Sequence, residues 1–105
     1  MATAATLEIL SSQAARWAVA ARQDQEPFVK LLHANYAMGY VLALRQVASD
    51  QEVLRKIGVD PYALEREVSV VQMEAASYAA RRAPGLQPSD GLARLAKESF
   101  QRDRW

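Results

Sequence analysis

His33 is the single histidine of this chain, and Tyr36 and Tyr40 follow it at i+3 and i+7, the spacing that stacks side chains on one face of a helix. One imidazole and two phenols, with Asn35 close by, form a candidate polar pocket that could hydrogen-bond a small, largely apolar ligand. The same three groups would also be at rest inside a bundle, each bonded to a backbone carbonyl or to water. Catalysis fits less well. With no cysteine in the sequence, disulfides, thiolate metal sites and thiol nucleophiles are removed together. A zinc site would need more than one imidazole, and no Glu-x-x-His pair of the di-iron bundles is present. Gly-rich phosphate loops, nucleophile elbows and closely paired carboxylates are also missing. The sequence therefore reads as a non-enzyme, with no expected metal or cofactor.

These residues lie in the stretch that organises the chain, Pro27 to Val47. Pro27 suits the first turn of a helix, with Gln25 or Glu26 near the cap. Tyr36, Met38, Tyr40, Val41, Leu42 and Leu44 point around the whole cylinder, so the expectation is a helix buried on more than one side. Asn35, Gly39 and Ala43 form a row of small side chains at i, i+4 and i+8, which lets a second helix approach closely. That partner is either the Ala-rich face of the preceding helix or the same row on another subunit.

The remaining segments also read as helices. Leu7, Leu10, Ala14, Trp17 and Ala21 recur at steps of three and four, with Thr6 as the expected N-cap. Ser49 and Glu52 match a capping box for a short helix carrying Val53, Leu54 and Ile57, which stops at Gly58. Asp60 and Pro61 restart the chain as N-cap and N1, and Leu64, Val68, Val71, Ala75 and Tyr78 mark one face of a helix ending near Arg82. Pro84 to Gly91 reads as a loop, and Leu92, Leu95, Ala96 and Phe100 as the narrow apolar face of a last helix. Phe100 and Trp105, large aromatics near the end of this sequence, are candidate interface anchors.

Length and charge bound the reading. The 105 residues suit one domain, and 13 Lys and Arg against 12 Asp and Glu leave a formal charge of +1, far from the basic balance that phosphate neutralisation favours. The longest stretch without a formally charged residue, Leu31 to Leu44, is shorter than the roughly 20 apolar residues of a membrane span. No secretory signal is visible near Met1, so the expected setting is the cytoplasm or an assembled particle. Ser49 to Val68 resembles a helix-turn-helix, but Leu54 occupies a position where a small residue usually lets the two helices close. Glu65 and Glu67, on the would-be reading helix with Tyr62 and Arg66, would face phosphates.

The expected fold is all-α, a compact bundle of four to five helices, with residues 1–83 as core and 84–105 as a loop plus helical arm. The expected function is structural or interaction work. This would be a small subunit that self-associates, or docks on other protein subunits of a larger assembly such as a phage or viral particle. A nucleic-acid-binding regulator using residues 49–68 is the first alternative, and a small-ligand pocket beside His33, Tyr36 and Tyr40 the second.

Overall fold

The computed structural model describes residues 2–82. They form four helices: α1 (Ala4–Gln23), α2 (Pro27–Val47), α3 (Asp50–Ile57) and α4 (Pro61–Arg82). No strand occurs among the described residues, so the fold is an all-α bundle. The arm expected after Pro84, with Phe100 and Trp105, lies outside the described residues.

Local chemistry sets most boundaries. Pro27 opens α2 where its missing N–H costs nothing, and the Glu26 side chain caps the turn by accepting from the Val29 amide at 2.7 Å. The Ser49 hydroxyl accepts from the Glu52 amide at 3.1 Å to start α3, and Gly58 ends it at φ 71°, a left-handed conformation that a Cβ would penalise. Asp60 then accepts from the Tyr62 amide at the head of α4. The first boundary differs from expectation. α1 begins at Ala4, because Thr3 rather than Thr6 is the cap and its hydroxyl accepts from the Thr6 amide at 3.1 Å.

α2 runs between α1 and α4, and its packing against these two helices is the most extensive in the fold. The core repeats in three levels. Leu7, Leu44, Ala48 and Val53 fill the end closed by α3; Ala14, Ala37, Val41 and Val68 fill the middle; Ala21, Ala34, Val71 and Ala75 fill the other end. α1 contributes one residue to each level at seven-residue intervals, the a/d-like repeat of antiparallel bundles. Alanine supplies half of the middle level and most of the last, and such small side chains allow helix axes to approach closely. It also has a cost. With Ala34 and Ala37 directed inward, Phe28, Tyr36 and Leu42 of α2 are left facing out.

The expected burial of α2 on more than one side extends to its contacts with α1 and α4. Among the described residues its remaining side is uncovered: Leu42 is 50% exposed, Tyr36 44% and Phe28 54%. Neighbouring helices cover only the Ala34, Ala37, Val41 and Leu44 side. No helix among the described residues is long and apolar enough to cross a membrane.

Candidate interaction face

The uncovered side of α2 carries the row of small residues expected from the sequence. Asn35 and Gly39 are exposed and Ala43 is partly so. A Cβ placed on Gly39 would meet nothing within 4 Å, so the Ala-rich side of α1 is not the partner of this row. Instead, α1 supplies a wall. Leu10 and Trp17 line an open groove of about 430 Å³ together with Asn35, Tyr36, Gly39, Tyr40 and Ala43 of α2. The groove is mostly apolar, and Asn35 is fixed at its edge, where its side-chain oxygen accepts from the Gln72 side-chain amide of α4 at 3.0 Å.

Aromatic packing holds the wall in place. The rings of Trp17 and Tyr36 meet edge to face, 5.4 Å between centroids and 81° apart, a favoured arrangement of ring quadrupoles. The His33 ring lies 4.7 Å from that of Trp17. His33 takes a side-chain partner. Its Nδ1 is 2.6 Å from Asp24 Oδ2, and Asp24 is the residue that closes α1. The expected polar pocket is therefore divided: Tyr36 and Tyr40 line the groove, while His33 ties the α1–α2 corner. Sequence reading missed Asp24, and missed Leu10 and Trp17 as groove walls. The steps of α1 marked those two as facing inward, but nothing local showed that they reach the edge of the core.

Lys30 belongs to the same corner. Its ammonium donates to the Ala21 carbonyl and lies 5.1 Å from the centre of the Tyr78 ring, satisfying an orphan carbonyl at the negative end of the α1 dipole. The Tyr78 hydroxyl donates to the Gln25 carbonyl at 2.6 Å, which joins α4 to this end of the bundle.

The segment resembling a helix-turn-helix has a different character. Arg45 of α2 donates to Asp50 at 2.9 Å and also pairs with Glu65 at 3.2 Å. The hydrogen bond to Asp50, partly offset by desolvation, holds its guanidinium pKa above the ordinary value. Lys56 donates to Glu52 at 3.0 Å, and this bond, opposed by desolvation, lowers the Glu52 carboxyl below its usual value. Two corrections follow. Leu54 is 53% exposed and does not stand between the helices, since Val53 is the buried contact. Glu65 does not project toward a would-be groove but turns to Arg45. Three of the nearby acids, Asp50, Glu65 and Glu52, thus pair with two of the nearby cations, Arg45 and Lys56.

No three side chains of metal-binding type converge among the described residues. No family model, curated protein or solved structure matches the chain.

Proposed function

We propose that this chain is a non-enzymatic helical subunit that associates with further copies of itself through the open face of α2 and contributes that contact to a larger assembly. The observation that carries this reading is the uncovered apolar side of α2, with Tyr36 44% and Leu42 50% exposed beside a groove walled by Leu10 and Trp17. Large apolar side chains clustered on one face, rather than scattered, are characteristic of interaction surfaces. Aromatic side chains already held by their neighbours, as Trp17 and Tyr36 are, lose little conformational freedom when a partner covers them. A ligand pocket at the same place fits less well, since the groove is open and His33 is occupied by Asp24.

The test uses the absence of native cysteine. Leu42→Cys places one thiol on the face, and Leu54→Cys places one at a similarly exposed position on α3. Alkylation of Leu42→Cys should slow about tenfold relative to Leu54→Cys as protein concentration rises, in proportion to the fraction of chains still open. Equal rates at every concentration would overturn the reading.

A further inference from the structure

Along the open side of α2 the side chains fall into rows four residues apart. Phe28, Leu32, Tyr36 and Tyr40 make a bulky ridge, and Asn35, Gly39 and Ala43 make the shallow groove beside it. Both rows have the same inclination to the helix axis. A helix that carries a ridge and an adjacent groove of equal inclination can pack on its own copy, each ridge entering the other's groove, at a crossing of about −50°. We infer that two copies of this chain meet in this way about a two-fold axis passing beside Gly39, and so close as a dimer. The inference rests on the self-association proposed above and names its geometry.

Three observations support the second copy as occupant. First, Gly39 lacks a reason among the described residues. Its φ is not positive, and a Cβ there would meet nothing among the described residues, yet glycine weakens a helix interior. A close helix crossing supplies the reason. Second, a two-fold contact sets any charge near the axis against its own copy, which repels whatever its sign. No formally charged residue occurs from Leu31 to Leu44, and the bounding cations are engaged elsewhere, Lys30 with the end of α1 and Arg45 with Asp50 and Glu65. Third, the face is of modest size. The ridge, the groove, Leu42 and the α1 wall amount to roughly half of the ~20–30 residues per side of a standard interface, which suits a pair that dissociates on dilution.

Single cysteines in the full-length chain test the axis. Helices crossing at Gly39 bring the two Gly39 Cα atoms near the range of about 4.4–6.8 Å that a disulfide accepts, whereas Phe28 lies eleven residues away, about 16 Å along the helix. Gly39→Cys should therefore link into a covalent dimer under mild oxidation, and Phe28→Cys should not. Gly39→Leu, whose Cβ meets nothing among the described residues and whose larger side chain fills the groove, should raise the dimer dissociation constant at least about tenfold while helicity stays unchanged. If Leu42→Cys is protected with rising concentration but Gly39→Cys fails to link and Gly39→Leu fails to weaken, the two-fold crossing is wrong and self-association stands. If Leu42→Cys is never protected, both fall. If its protection is the same at every concentration, residues of the same chain such as 83–105 cover the face, and again both fall.

Discussion

Asp24 closes α1 and His33 lies in the second turn of α2, and their side chains meet at 2.6 Å across the corner between the two helices. Both are largely covered, so the bond is screened less than a surface pair. The same imidazole supports Trp17, which walls the groove. Asp24→Ala leaves that ring nitrogen without its partner. The expected cost is about 1–2 kcal/mol of stability, read as a lower midpoint in chemical denaturation. An unchanged midpoint would mean that the corner holds without this bond.

Adjacent positions on α2 should respond in opposite ways. Val41→Asp buries an unpaired carboxylate in the middle level of the core and should unfold the chain. Leu42→Asp places the same group on the exposed face, so helicity and melting of the dilute chain should shift by no more than about 0.5 kcal/mol. Circular dichroism of the two variants decides the matter, and a collapse of Leu42→Asp in dilute solution would put the face inside the fold.

Gly39→Ala should stabilise the dilute subunit. Alanine is favoured over glycine in a helix interior by up to about 1 kcal/mol, and the added Cβ meets nothing among the described residues. Urea titration at low protein concentration measures the gain, and a loss of stability would reveal a neighbour at this position.

The Glu52 carboxyl is held below its usual pKa mainly by the hydrogen bond from Lys56. A carboxyl depressed by folding contributes stability above its unfolded pKa, and that contribution disappears as pH falls through the lower folded value. Lys56→Gln should therefore return the Glu52 titration, followed by carboxyl NMR shifts, toward the ordinary range. It should also flatten the loss of stability on acidification. A Glu52 titration that does not move would assign the shift to another neighbour.

Duplex DNA should bind no better than to a neutral control protein. Arg45 and Lys56 are paired with Asp50, Glu65 and Glu52, which leaves few free cations on α3 and the start of α4. Submicromolar binding at physiological salt that weakens steeply as salt rises would reverse this expectation.

What the sequence determined alone was the set of elements among the described residues, because their signals act within a few residues. Pro27 at N1, Ser49 with Glu52, Gly58 in the left-handed region and Asp60 before Pro61 each operate inside one turn of chain, and the structure starts or stops helices at all of them. Where the first cap lay between two threonines three residues apart, the reading chose the wrong one, since either hydroxyl suits the role. The side of α2 that turns inward was not legible. Apolar residues surround the helix, so periodicity gives no preference, and the decision came in three dimensions, where Ala34 and Ala37 turn inward with Ala14 and Ala21 of α1 and Val68, Val71 and Ala75 of α4. That choice left Tyr36, Gly39 and Leu42 outside and made a face of what read as a core. The partner of His33 was also decided in three dimensions. Asp24 stands nine residues earlier, on the far side of a turn, and only the antiparallel return of α2 along α1 brings the two side chains together.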